Sequence, residues 1–139
     1  LVKSKIAVIR NFGDVNTVIM NQVELQQIVI NLMINAAQAM PDGGILTLET
    51  RQIINNDRSG VQVAISDNGT GIDTISLTHI FDPFFTTKQA VGTGLGLSSS
   101  QSLVQRAGGS ITTKSKIGIG STFFIWIPQR VNLSSENVK

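Results

Sequence analysis

Hydrophobic and polar positions alternate along this chain with two different periods. The first strand-like stretch, KIAVIR from Lys5 to Arg10, is rich in β-branched residues and ends at a turn from Asn11 to Asp14; Thr17 to Met20 is expected to add a short second strand. The pattern then becomes helical over NQVELQQIVINLMINAAQAM, from Asn21 to Met40. Asn21 is the expected N-cap, Glu24 stands three residues on as in a capping box, and Pro41 and Gly43 close the segment. Pro41-Asp42-Gly43-Gly44 leads into a run from Ile45 to Ile54 whose first residues alternate. Asn55 to Gly60 reads as a polar connection, and Val61 to Ser66 alternates again, so the two runs are expected to pair antiparallel.

A short helical piece is expected from Asp73 to about His79. Neither period holds from Ile80 to Gly96, a length that inside a compact domain usually belongs to a lid or binding loop. A second helix, Leu97 to Ala107, is closed by Gly108-Gly109. Strands from Ser110 to Ser115 and Ser121 to Ile127 follow, and the chain ends in a polar tail after Pro128.

The long helix is unusual in its circumference. At about 100° per residue, Glu24, Gln27, Asn31, Asn35 and Gln38 share one narrow stripe while nearly all other positions are apolar. An ordinary surface helix shows the reverse. Two readings fit: buried amides satisfying neighbouring backbone, or the wall of a polar ligand site. The uncharged run from Leu25 to Met40 is too short and too interrupted for a membrane span.

Composition narrows the classes. With 139 residues, one domain can bury a substantial core. The absence of cysteine excludes disulfides, the net charge is only +2, and the basic residues are scattered without interleaved aromatics, which argues against nucleic acid as partner. Leu1 in place of methionine points to a fragment of a longer protein.

Three loci carry candidate chemistry. Asp67 ends a strand and opens Asp-Asn-Gly-Thr-Gly; it is either a surface turn or a carboxylate that accepts from the amino group of a flat ring, approached closely by backbone at Gly69 and Gly71. Gly92, Thr93, Gly94, Leu95 and Gly96 end the irregular loop and open a helix; they form either a hinge or a phosphate cradle, and match neither a P-loop nor a dinucleotide fingerprint. Asn31 and Asn35 lie one turn apart, and amide oxygens suit Mg2+. Lys88 could meet a phosphate. His79, beside Ile80 and Phe81, is expected to be a partly buried structural side chain, and Phe81, Pro83, Phe84 and Phe85 to anchor their loop to the core.

In this order the pieces resemble the catalytic, ATP-binding domain of bacterial sensor histidine kinases, in the GHKL superfamily shared with gyrase, the mismatch-repair ATPase and a heat-shock chaperone. LQQIVINLMINAAQAM is similar to the asparagine box, DNGTG to the first glycine box, FDPFF to the phenylalanine box, GTGLGL to the second glycine box and GIGSTF to the last. Each is weak alone, and five in order over Lys5 to Pro128 are specific. IFDPFFTTK and NAAQAMPDGG look most like the nitrogen-regulation and acetoacetate-sensor branch.

The resemblance implies an α+β fold, a two-layer sandwich of the Bergerat type with a mixed, mostly antiparallel sheet and helices on one face. It implies one catalytic domain over residues 1–130 with a tail at 131–139. Asn35 would hold Mg2+, with Asn31 near the phosphates; Asp67 would accept from the adenine amine, Gly69 and Gly71 shape the base pocket, and Gly92, Thr93, Gly94, Leu95, Gly96 and Leu97 make the lid end and cradle. Ser121 or Thr122 would support the base through water, and Lys88 stands in for a basic residue that relatives carry where this chain has Gln38. The superfamily's hydrolases place a glutamate at the position of Asn31, and an amide cannot act as general base. Transfer of the γ-phosphoryl of ATP to a histidine of a dimerisation domain outside this sequence therefore fits better than hydrolysis. A response regulator downstream, a cytoplasmic location and membrane attachment only through absent segments follow from the same likeness. A gyrase-type ATPase and a non-catalytic nucleotide-binding signalling module are the competing readings.

Overall fold

The computed structural model describes residues 5–84 and 96–129. Its elements are β1 (Ile6–Phe12), α1 (Gln22–Gln38), β2 (Gly44–Asn55), β3 (Arg58–Asp67), α2 (Thr74–Leu77), α3 (Gly96–Arg106), β4 (Ser110–Lys116) and β5 (Gly120–Pro128). They form a five-stranded sheet in the order β1-β2-β3-β5-β4, in which β1 runs parallel to β2 and all other neighbours are antiparallel. The helices cover one face, as the α+β sandwich expectation requires.

That face is built from alternate residues of each strand. Leu46, Ile65, Phe123, Ile125, Ile127 and Ile111 form the sheet side of the core, and Ile28, Leu32 and Ala36 of α1 with Val104 of α3 form the helix side. Residues at i, i+4 and i+8 of α1 thus point down into the sheet, which is why the helix continues through β-branched positions. Asn21 caps it by accepting from the Glu24 N–H at 3.1 Å. On the opposite face, Trp126 lies across the strands. Its Nε1 donates to the Ile53 carbonyl at 3.1 Å, and a Cβ at Gly60 would meet the indole at 2.5 Å.

Two local expectations change. The polar connection expected at Asn55 to Gly60 contracts to Asn56 and Asp57, with φ of 53° and 64°. Both lie in the left-handed region that Asn and Asp tolerate best after glycine, and two such residues in succession make the primed turn that matches strand twist. Arg58 to Gly60 belong to β3 through backbone pairing with Ile53 to Asn55, a signal that side-chain alternation does not carry. The second strand expected at Thr17 to Met20 reduces to one bridge, Val18 to Gln129. Among the described residues no helix is long and apolar enough to cross a membrane.

Candidate functional site

β3 delivers Asp67 to the end of the sheet, and the register sets it opposite Ser121 at the start of β5 and Leu46 at the start of β2. Residues paired across antiparallel strands share a face, so Asp67 and Ser121 stand together on the helix-covered side. Thr122, one residue on, points to the other side, where its hydroxyl meets Ser66 Oγ at 2.8 Å. Of the two hydroxyls expected to support a base, Ser121 alone shares the face of Asp67. It is 5% exposed.

The turn after Asp67 is wedged between two backbones. Asp67 Oδ1 accepts from the Gly69 N–H at 2.9 Å, and Asn68 Oδ1 accepts from the Ile45 N–H at 2.9 Å, so the first two residues fold back onto their own strand and its neighbour. Thr70 N–H donates to Ala39 O at the end of α1 at 3.0 Å. A Cβ at Gly69 would lie 2.1 Å from that same carbonyl, and one at Gly71, whose φ is +77°, would lie 2.1 Å from Lys116 O. The glycines expected to admit a flat ring are thus also required for close approach of α1 on one side and the β4–β5 turn on the other. Ser115 closes the arrangement. Its Oγ accepts from the Ile72 N–H at 2.7 Å, lies 2.6 Å from Ser121 Oγ and donates to Gly120 O at 3.1 Å.

At the other end of the site, α1 meets α3 antiparallel. Glu24 Oε2 lies 3.7 Å from Arg106 Nη2, an exposed pair of little energetic weight. Asn31 Nδ2 donates to Ser100 Oγ at 3.4 Å, and a Cβ at Gly96 would lie 4.0 Å from Asn31 Cγ. The amide stripe of α1 is therefore partly an interhelical seam: Glu24 and Asn31 are answered by Arg106 and Ser100 of α3. Asn35, one turn beyond Asn31 and half-buried, makes no side-chain hydrogen bond among the described residues. The N-terminus of α3 lies beside Asn31.

The donor chemistry fits Mg2+. Among the described residues no cluster of three His, Cys, Asp or Glu exists to form an all-protein cage. Mg2+ takes one or two protein oxygens and completes its shell with water and phosphate, which two amides one turn apart can serve. Ser100 escaped sequence reasoning, although a serine four residues before the buried Val104, on the core side of α3, was the available signal. Ser115 and Asn68 escaped it because each accepts from a backbone N–H remote in sequence, that of Ile72 and that of Ile45. Lys88, Gly92, Thr93, Gly94 and Leu95 fall outside the described residues. Leu97 packs against the hydrophobic core.

His79 differs from expectation. Its side chain is 52% exposed and Nδ1 lies 2.9 Å from Asp82 Oδ2, because the helical turn ends before it and aims the ring at solvent. The phenylalanine run divides. Phe81 packs edge-on against Phe123, with centroids 6.5 Å apart at 82°, whereas Phe84 is 72% exposed with φ of +68°, so it does not anchor its loop to the core as expected. A phenylalanine in the left-handed region is strained. Asp73 caps α2: the Ser76 N–H at 2.7 Å and the Ser76 hydroxyl at 2.9 Å hold its carboxyl below the usual range.

Comparison with known proteins places the fold and the family. Residues 20–131 match the family described as histidine kinase-, DNA gyrase B-, and HSP90-like ATPase. The chain is 40% identical over 120 residues to the sensor kinase CckA of Brucella abortus, covering 78% of this chain and 13% of that protein. It is 39% identical over 107 residues to the sensor histidine kinase ZraS of Escherichia coli, covering 77% and 22%. The structure superposes on the catalytic domain of histidine kinase ThkA with a TM-score of 0.75 and 29% identity, over 89% of this chain and 80% of that one. A full-length ShkA structure in complex with AMPPNP matches with a TM-score of 0.76 and 26% identity, over 88% of this chain and 25% of that one. These relatives agree with the resemblance carried by the five motifs. The chain spans about an eighth to a fifth of the length of the curated relatives it matches.

Proposed function

This chain belongs to the histidine kinase-, DNA gyrase B-, and HSP90-like ATPase family, and on that premise we propose that it binds ATP with Mg2+ and supplies the γ-phosphoryl group to a histidine on a helical dimerisation domain of the same protein. One observation carries the reading: a single rigid helix, α1, touches both ends of the site. Its final turn receives the Thr70 N–H behind Asp67, and its middle, at Asn31, meets the start of α3. A base held at one end and a triphosphate at the other are thereby referred to one rod.

In this reading the Asp67 carboxylate accepts from the exocyclic amine of adenine, and the buried Ser121 hydroxyl supports the same edge. The start of α3 turns its backbone N–H groups toward phosphate oxygens. Ser100 holds the Asn31 amide by its nitrogen and leaves Oδ1 as the remaining acceptor beside Asn35. Asn35, with Asn31 Oδ1 beside it, would hold Mg2+, which would supply charge neutralisation for the phosphates. No carboxylate occupies the place of Asn31, so the chain lacks a general base for water at that point, which supports transfer to protein over hydrolysis. Lys88, Gly92, Thr93, Gly94 and Leu95 are proposed to contribute lid contacts to the phosphates. A receiver protein downstream and a cytoplasmic position complete the reading, in keeping with relatives named as sensor kinases.

Calorimetric titration with a non-hydrolysable ATP analogue is the test. Binding that requires Mg2+, is lost in Asp67→Ala and loses its metal dependence in Asn35→Ala is the expected result. No binding at millimolar analogue, or sustained phosphate release by the chain alone that Asn35→Ala abolishes, sinks it. Labelling of a histidine in the full-length protein with radioactive phosphate tests the acceptor.

A further inference from the structure

Three hydroxyl and amide groups beneath the glycine turn form a unit that nothing in the phosphate chemistry requires. Ser115, on the edge strand β4, sits at the junction of three segments: the turn after Asp67 through Ile72 N–H, the β4–β5 turn through Gly120 O, and the base-side hydroxyl through Ser121 Oγ. We propose that Ser115 is a positioning residue for the nucleobase, locking the glycine turn and setting, through Ser121, the hydrogen-bond polarity presented to the base. This rests on the adenine-nucleotide reading given above.

Proton counting carries the step from geometry to function. Ser115 has one hydroxyl hydrogen and already accepts from the Ile72 N–H. When that hydrogen goes to Gly120 O, the 2.6 Å contact requires Ser121 to donate to Ser115, and Ser121 then offers only lone pairs to the site. When it goes to Ser121 instead, the Ser121 hydrogen is released toward the face it shares with Asp67. The pair therefore has two proton arrangements that differ by a rotation of two hydroxyls, with heavy atoms fixed. The edge that a base presents, donor or acceptor, selects between them. A lone Ser121 could also rotate, but with Ser115 replaced by alanine both the Ile72 N–H and the Gly120 carbonyl lose a partner, and the turn that holds Gly69 and Gly71 against α1 and Lys116 is released at one corner.

The experiment has a ligand-free arm and a ligand arm. Amide hydrogen exchange at Ile72 is measured in wild type, Ser115→Ala and Ser115→Thr without nucleotide, and ADP and GDP affinities are measured for the same proteins, for Ser121→Ala and for the double alanine variant. Expected are roughly tenfold faster exchange at Ile72 in Ser115→Ala, about tenfold weaker ADP binding with a reduced preference for ADP over GDP, recovery of both in Ser115→Thr, and a double variant no worse than the poorer single variant, since the two hydroxyls act as one unit. Unchanged Ile72 exchange in Ser115→Ala overturns the proposal. So does faster exchange with unaltered ADP affinity and base preference, or fully additive losses in the double variant. A wild type that binds no adenine nucleotide overturns the proposed function and this inference together, whereas wild-type ADP binding undisturbed by Ser115→Ala overturns this inference alone.

Discussion

In the proposed reading Asp67 does two jobs with one side chain, and they can be separated. Its Oδ1 accepts from Gly69 N–H, which shapes the turn. Replacement by asparagine keeps an oxygen for that bond and converts the other acceptor into a donor, which repels an amine. Asp67→Asn is expected to weaken ATP binding roughly 10- to 100-fold, the range of a hydrogen bond to a charged group, while the melting temperature stays near that of wild type; a melting scan beside calorimetry reads both. Thr113 offers the opposite experiment. Among the described residues its Oγ1 is buried without a hydrogen-bond partner. Thr113→Val has the same shape without the hydroxyl and should stabilise the chain by about 1 kcal/mol, raising the melting temperature by roughly 3 °C. A lower melting temperature would mean that the hydroxyl is satisfied in solution.

Among the elements, α1 carries most of the consequence. Leu32 is fully buried one residue after Asn31, so the residue that anchors the helix and the one that faces the site are neighbours in sequence and roughly 100° apart around the axis. Leu32→Ala should cost about 2–5 kcal/mol in urea unfolding. A loss well under 1 kcal/mol would show that the core can collapse around the gap. The short α2 depends on its cap. Hydrogen bonds from Ser76 favour the ionised Asp73 carboxylate and lower its pKa below the ordinary value of 3.8, so the stabilisation is present above that value and fades as pH falls through the folded pKa. NMR titration of the Asp73 carboxyl should therefore give a midpoint below that of an unstructured aspartate, and Asp73→Asn should abolish the acid-linked opening of α2. The elements themselves were largely legible because capping and periodicity are local: Asn21, Gly43 and the Gly108-Gly109 pair mark boundaries wherever they occur. What was not legible depends on partners. Neither the parallel pairing of β1 with β2 nor the meeting of Asn31 with Ser100 leaves a trace in either segment alone, and a two-residue turn of Asn56 and Asp57 lacks the glycine by which such turns are usually read.

For the whole molecule, the site is a junction of distant pieces, so ligand binding and stability are linked. ADP with Mg2+ at a hundred times its dissociation constant should stabilise the native state by about 2.7 kcal/mol, and by markedly less at the same concentration in Asn35→Ala, measured as a shift in the urea midpoint. Equal shifts in both proteins would remove Asn35 from the metal site. The candidate site was legible as five motifs and not as a geometry: the asparagines, Asp67 and the glycines point to a nucleotide, but which of Ser121 and Thr122 shares the face of Asp67 is decided only by β3–β5 register. That register has an evolutionary consequence. Asp67 and Ser121 are held opposite each other by strands lying outside the segment between them, and closing a longer connection costs only about 0.6 kcal/mol for each doubling of its length. Changes of length in the connection between α2 and α3 therefore leave that register in place, and descendants of this sequence can vary the connection while inheriting the proposed grip on the base.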